Sequence, residues 1–432
     1  MSDSFPSAAA IQDSQLKSLN DLLREIVPGN AFYTRKILES SAPREYGSLA
    51  DFFNAFPFTT KQELARDQEE HPLYGRTLTY PIERYSRFHQ TSGTSGKPLR
   101  WVDTPESWEQ LVQSWLEVYR AAGVTAKDVT YFAFSFGPFL GFWLAFDAGT
   151  RLGTLCIPGG GLTTLVRLKT ILETNATVLC CTPSYAIHLA DTARNENIDL
   201  RNSRVRQIIV AGEPGGSLPA TRAQIERLWP GAKVFDHHGM TETGPITYEC
   251  PAKACRLHVV HWAYLAEVID RDTSKPVAIG SPGELVVTTL KRIGSPLIRY
   301  RTGDLVRLAA HHNKNEPCEC GRFDLALEGG ILGRTDDMVV VRGVNVYPTA
   351  VEQIIREFNE ITEFQVQISH KGSLAEMHVL IEPSHQARNV AALVAAVEKA
   401  LQTALSLRIP VTTAAPNTLP RAELKAKRWI RK

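Results

Sequence analysis

Little in this sequence marks a specialised environment. Its 48 basic and 46 acidic residues leave a formal net charge of +2 over 432 residues. That excludes both the basic surface nucleic acid requires and a cationic membrane-binding helix. No apolar run spans a bilayer: the longest, Tyr131–Phe146, is broken by Gly137, Pro138 and Gly141. The opening MSDSFPSAAA lacks the basic and apolar regions of a secretory signal. Internal repeats and low-complexity segments are missing too. The seven cysteines, an odd number in a long chain, point to a reducing compartment, read as the cytoplasm. What is present is an ordinary soluble-enzyme composition, 43% hydrophobic and 22% charged, at a length suited to two or three domains.

Residues 1–80 read as a helical prelude, in which Leu16, Leu19, Leu22, Leu23 and Ile26 fall at helical spacing over Gln15–Val27 before Pro28-Gly29. From Pro105 to Phe235, helical stretches (Pro105–Ala122, Phe139–Leu152, Leu162–Thr174, Ser184–Asn195, Pro219–Trp229) alternate with apolar runs at Val129–Phe136, Thr154–Ile157, Ala176–Cys181, Gln207–Val210 and Lys233–Phe235. Runs that are apolar throughout predict parallel strands covered by helices, with ligands beyond their carboxyl ends. Ser135–Phe139, Ala211–Gly216 and Asp236–Pro245 follow such ends. Tyr264–Asp270, Glu284–Thr289 and Leu305–Ala309, set between Gly/Pro turns, predict antiparallel strands.

Gly333–Pro348 (GRTDDMVVVRGVNVYP) reads as a swivel. Gly333 and Gly343 supply freedom in φ, Asp336-Asp337 belongs in water, and Met338–Val341 turns at Arg342-Gly343 towards Val344–Tyr347. Helix Thr349–Phe358, strands Glu363–Ile368 and Ala375–Ile381, helix Asn389–Leu405 and strand Val411–Ala414 follow. The expected fold is α/β. A large N-terminal domain, residues 1–333, holds parallel sheets flanked by helices plus an antiparallel β subdomain; a small mobile C-terminal α+β domain covers residues 334–432.

Two motifs carry chemistry on their own. Thr91–Pro98 (TSGTSGKP) offers hydroxyls, backbone N–H groups and a lysine to phosphate oxygens. It is not the nucleotide-binding P-loop, because two residues rather than four separate Gly93 from Gly96-Lys97, and Pro98 replaces the Ser/Thr. Cys250, His258, Cys318 and Cys320 form C-x7-H and C-x-C, a set for tetrahedral Zn²⁺, with Cys255 a fifth candidate and free thiols the alternative. Cys156, Cys180 and Cys181 fall on predicted buried strands.

Five segments then occur in order: TSGTSGKP at 91–98, AGEP at 211–214, HGMTE at 238–242, YRTGD at 300–304 and GRTDDMVVVRG at 333–343. This set resembles the adenylate-forming superfamily of acyl- and aryl-CoA synthetases, adenylation domains and luciferases. PFTTKQEL at 57–64, FGPFLGFW at 136–143, PGGG at 158–161, TPSYA at 182–186, CECGR at 318–322 and RGVNVYP at 342–348 bring it nearest to phenylacetate–CoA ligases. The resemblance covers nearly the whole chain.

It implies that ATP activates a small aromatic carboxylic acid, through an acyl adenylate, for transfer to coenzyme A. Thr91, Ser92, Gly93, Thr94, Ser95, Gly96 and Lys97 would hold phosphates, with Glu242 on Mg²⁺ and Thr241 at the α-phosphate. Asp304 would accept the ribose hydroxyls. Asp236, His237, His238 and Gly239 would line the nucleotide, His238 replacing the usual stacking aromatic, opposite Gly212, Glu213 and Pro214. Arg334 would contact the nucleotide, Asp336 would be the pivot, and Lys425 would complete adenylation. The tail departs from the family's Gly-Lys-Ala, which keeps Lys427 as an alternative to Lys425. Phe136 and Phe139, within a cluster including Phe134 and Phe142, would form the acid pocket, closed by Ala211 and Pro245. Non-CoA acceptors and a silent binding protein are the rival readings; no nucleic acid or membrane partner is expected, and a homodimer is left open.

Overall fold

A computed structural model describes residues 5–91, 98–311, 316–342, 344–371, 374–385, 387–421 and 427–431. The chain forms two compact units: Met1–Gly161 with Asp236–Gly330, and Leu162–Phe235 with Ile331–Lys432.

In the first unit the Ser7 side chain caps helix Ala8–Ile26, which starts ahead of the predicted Gln15 because its alanines favour helix without marking a face. Leu19, Leu22, Leu23 and Ile26 share one core with Phe32, Tyr33, Phe52 and Phe56 and with Leu265, Leu297, Ile298 and Tyr300 of the antiparallel region. Strands Tyr264–Ile269, Pro282–Thr289 and Tyr300–Arg307 pair antiparallel in that order. The third begins earlier than the expected Leu305. Its buried positions include Thr302 and Asp304 while Leu305 is half-exposed, so apolar alternation reads the wrong face. Strands Thr247–Glu249, Arg256–Val259 and Ala326–Glu328 make a second antiparallel sheet. Strand Val129–Phe132 pairs parallel with Leu155–Pro158 and ends short of the predicted Phe136.

In the second unit Val178–Cys181 pairs parallel with Gln207–Val210. Helices Thr164–Glu173, Pro183–Asn195 and Pro219–Leu228 belong to the same unit. Its C-terminal part is an α+β sheet in which Ile361–Lys371 pairs antiparallel with Leu374–Pro383 and parallel with a final strand, Trp429–Arg431. Helices Pro348–Arg356 and Val390–Leu405 complete it, over a core of Val351, Ile355, Val366, Val379, Val397 and Leu401. Ala220 N–H donates to Gln353 Oε1 at 3.2 Å, so this unit combines segments from either side of the expected 333/334 division. Gly333 serves space rather than the expected φ freedom: a Cβ there would lie 3.2 Å from Tyr347 and 3.3 Å from Thr349. The left-handed backbone of the swivel falls instead on Arg342, at φ 49°. Gly343 lies outside the described residues. Among the described residues no helix is long and apolar enough to cross a membrane.

The second unit also buries a network of charge. Arg428 donates to Glu363 at 2.7 Å and to Glu352 at 3.1 Å, and Arg356 reaches Glu363 at 3.4 Å. Burial alone would raise the Glu363 pKa, but Arg428 and Arg356 hold it down at about 2, against an ordinary 4.5. A carboxylate with a depressed folded-state pKa adds stability above its unfolded value and loses it as pH falls towards the folded one. Stability should therefore fall by on the order of 3 kcal/mol as acid protonates Glu363 between pH 4.5 and about 2. Urea titrations of native protein and Glu363→Gln across this window check it: the variant should show a flatter pH dependence, and equal slopes would rule Glu363 out.

Candidate active site

Polar loops held by buried contacts assemble the site in the first unit. Strands Arg87–Gln90 and Arg100–Asp103 form an antiparallel hairpin. At its open end Thr91 N–H donates to Leu99 O at 2.9 Å, and Leu99 N–H donates to the Thr91 hydroxyl at 3.0 Å. Thr91 therefore closes the base of the TSGTSGKP segment; Ser92, Gly93, Thr94, Ser95, Gly96 and Lys97 lie outside the described residues.

The HGMTE segment is a second, tighter hairpin. Gly239 pairs with Pro245 and Met240 with Gly244, leaving Thr241, Glu242 and Thr243 at the tip. Both glycines are sterically required: a Cβ on Gly239 would lie 2.7 Å from Gly244 O, and one on Gly244, at φ 86°, 2.3 Å from Leu111. Glu242 is 3% exposed, and Lys61 Nζ lies 3.4 Å from its carboxylate. Arg292 supports the tip from behind, donating to Thr241 O at 3.0 Å and Glu242 O at 2.7 Å. The Tyr264 hydroxyl donates to Thr243 O at 2.8 Å.

His238 and Asp304, read separately from sequence, meet in space: His238 Nε2 is 3.0 Å from Asp304 Oδ2. Thr247 Oγ1 accepts from His238 N–H at 2.9 Å, and Glu249 accepts from Asp236 N–H at 2.8 Å, fixing the chain on either side of His237. The His237 ring is buried edge-on against Trp115, centroids 4.3 Å apart, and burial drives its pKa down to about 3, so it is neutral.

The expected acid pocket is an aromatic cluster. Phe134 stacks on Phe142 at 4.1 Å, while Phe136 and Phe139 approach these rings edge-on at 5.5 and 5.9 Å. Pro245 is buried in this unit, whereas Ala211 belongs to the second. There Gly212 takes φ 92°, and the Glu213 carboxylate accepts from Ser184 N–H at 2.9 Å in the first turn of helix Pro183–Asn195. Burial raises the Glu213 pKa, with Arg428 opposing. Arg334 and Asp336 bond each other, Nε to Oδ1 at 2.8 Å and Nη2 to Oδ2 at 3.1 Å. Lys425 lies outside the described residues, and Lys427 is exposed.

The four predicted metal ligands converge, their ligand atoms all within 4.8 Å of one another. Cys250 Sγ is 3.6 Å from Cys318 Sγ, and Cys320 Sγ is 3.5 Å from His258 Nε2. Cys255, the fifth candidate, sits on a left-handed turn at φ 62° outside this cluster. Cys180 and Cys181 are buried as expected, and Cys156 is half-buried.

Sequence reasoning missed Asp103, Lys61 and Arg292. The only local signal for Arg292 was a guanidinium set between Leu290 and Ile293, and its carboxylate partner lies 189 residues away.

Residues 88–290 match the AMP-binding enzyme family, and residues 343–432 match the AMP-binding enzyme C-terminal domain. A phenylacetate-coenzyme A ligase of Thermus thermophilus is 33% identical over 379 residues, 87% of this chain and 81% of that one. Crystalline 2-hydroxyisobutyryl-CoA ligase in the postadenylation state is similar at TM-score 0.92 and 28% identity, over 99% of this chain and 91% of that one. With 2-HIB-AMP and CoA in the thioesterification state, the same ligase gives TM-score 0.73 at 28% identity, with the same coverage of 99% and 91%. The chain belongs to the adenylate-forming AMP-binding enzymes, in the phenylacetate-coenzyme A ligase family.

Proposed function

We propose that this protein is an AMP-forming acid–thiol ligase that activates an aryl or arylacetic acid with ATP and passes it to coenzyme A. The observation that carries the reading is the buried Glu242 at the tip of a tight hairpin, tied through Arg292 to Asp103 of the Arg87–Asp103 hairpin, in a chain of this family. A carboxylate oxygen of the acid attacks the α-phosphorus, forming a P–O bond as pyrophosphate leaves. The CoA sulfur, its proton lost to solvent, then attacks the acyl carbon and AMP leaves.

Both steps need anionic charge held in place. Thr91 and the loop residues through Lys97 would take the β- and γ-phosphates, and Thr241 the α-phosphate. The Glu242 carboxylate fits Mg²⁺, a hard ion that would neutralise charge on the triphosphate. Asp304 would accept from the ribose, and His238, its Nε2 3.0 Å from the Asp304 carboxylate, would stack on adenine. Asp236, His237 and Gly239 would shape the nucleotide wall. Phe136, Phe139 and Pro245 would enclose the acid. Location in the cytoplasm fits seven cysteines that form no disulfide.

The test is pyrophosphate release across aromatic and aliphatic acids, with and without CoA, in the native enzyme and in Lys425→Ala. The native enzyme should release pyrophosphate with aromatic acids and form a thioester only when CoA is added. Lys425→Ala should lose roughly two to four decades in adenylation while still consuming supplied acyl adenylate with CoA. The reverse outcome, with the loss in Lys427→Ala alone, would move the role by one basic residue.

The bodies at 1–333 and 334–432 would swivel about Asp336, so that the lysine used in adenylation can leave before a thiol enters. The exposed Arg334–Asp336 pair supports this, as do the separately solved postadenylation and thioesterification states of the 2-hydroxyisobutyryl ligase. Asp336→Pro fixes φ and should damage one half-reaction far more than the other; equal loss in a folded variant would exclude Asp336 as pivot.

Cys250, His258, Cys318 and Cys320 would hold a structural Zn²⁺. Tetrahedral Zn–S bonds of about 2.3 Å place neighbouring sulfurs roughly 3.8 Å apart, close to the 3.6 Å between Cys250 and Cys318. The ion would tie strand Arg256–Val259 to the Cys318–Cys320 turn. Elemental analysis should find about one equivalent of zinc, and its chelation should lower thermal stability. A zinc-free preparation of equal stability would sink the assignment.

A further inference from the structure

Arg292 is 1% exposed and bonds in two directions. Nε and Nη2 each donate to Asp103 at 2.7 Å, a bidentate pair with a carboxylate that is itself fully buried. Nη1 donates to the carbonyls of Thr241 and Glu242. Asp103 is the last residue of the strand that leaves the phosphate loop. The segment around Arg292 is itself docked on that region: Gly294 N–H donates to the Ser107 hydroxyl at 3.2 Å, and the Ser295 hydroxyl donates to Val102 O. One guanidinium thus sets the spacing between the hairpin carrying residues 91–99 and the hairpin tip carrying Glu242.

Stability alone is a poor account of this arrangement. Desolvating two charges offsets most of their attraction, so an apolar pair of similar volume is often as stable. What the apolar pair could not do is fix two carbonyls and a carboxylate at once, and Arg has the planar five-donor fork for it where Lys has a point charge. A misplacement of about 1 Å at a reacting centre can lower rate a hundredfold.

We infer that Arg292, through Asp103, is a positioning residue that registers the Glu242 tip against strand Arg100–Asp103 for metal–nucleotide binding. This rests on the adenylation reading of Glu242. Binding of Mn²⁺ with a non-hydrolysable ATP analogue is measured by electron paramagnetic resonance and calorimetry, with no acid present, in native protein, Arg292→Lys, Asp103→Asn and Glu242→Gln. Circular dichroism and urea titration establish folding. Arg292→Lys keeps the charge and Asp103→Asn keeps the shape, so one covers the other should either unfold.

The folded Arg292→Lys and Asp103→Asn variants should bind the metal–nucleotide at least ten times more weakly and raise the KM for MgATP similarly, while their turnover of supplied acyl adenylate with CoA changes less than threefold. A purely structural role would lower the urea midpoint and leave the metal–nucleotide affinity alone, which would overturn the inference. Loss of affinity in Glu242→Gln but not in Arg292→Lys would also overturn it, leaving the Glu242 assignment intact. No loss in any of the three would overturn both.

Discussion

The Asp103–Arg292 pair is the contact on which the geometry of the first unit's site depends. It joins parts of the chain that no local interaction could hold together, the exit of one hairpin and the segment before strand Tyr300–Arg307. The guanidinium also lies over Trp101, 5.4 Å from its ring centroid, which leaves it little room to reorient. Removing either partner would leave a bare buried charge, at about 3–5 kcal/mol. Both hairpins are short, and each alone would be marginal in water. Packing against a fixed ionic centre holds strand Arg100–Asp103 and the Thr241–Thr243 tip in register.

The second unit solves a similar problem with a larger network. Arg428 and Arg356 share Glu363 and Glu352, and the final strand that follows Arg428 pairs along Ile361–Lys371. Arg428 also acts on Glu213, whose carboxylate is engaged at the start of helix Pro183–Asn195. Charge on the C-terminal tail is therefore felt by the AGEP segment within one compact unit. The tail is anchored at Arg428, immediately beyond Lys427.

Much of this was legible in sequence, for reasons that differ by residue. The four metal-ligand candidates were visible because soft ligands are scarce and their spacing is local, C-x7-H and C-x-C. Parallel pairing was visible because Val178–Cys181 and Gln207–Val210 bury all their residues, leaving no polar alternation. The strand through YRTGD was hidden because it turns Thr302 and Asp304 inward and Leu305 part-way out. The Gly239–Pro245 hairpin was hidden for another reason: it is stabilised by contacts to Leu111, Tyr264 and Arg292 rather than by its own propensity. Contacts between distant charges leave no periodic trace, so Arg292 could be found only in three dimensions.

The aromatic cluster bears on what the acid can be. Its rings are not equivalent: Phe134 is 5% exposed and spends its face on Phe142, whereas Phe136 and Phe139 remain half-buried. Phe136 is also flanked by Trp143 at 4.8 Å and Phe146 at 5.7 Å, which hold the ring in place without covering it fully. Gly160 approaches it closely, a Cβ there meeting Phe136 at 3.4 Å. In the proposed acid pocket, uncovered aromatic area therefore lies on Phe136, Phe139 and Phe142. Such a surface gains most from a second flat ring, through offset or edge-to-face contact worth about 0.5–1.5 kcal/mol beyond burial. A small branched aliphatic acid would recover the burial but not the ring contact, and that difference in ring contact favours an aromatic substrate.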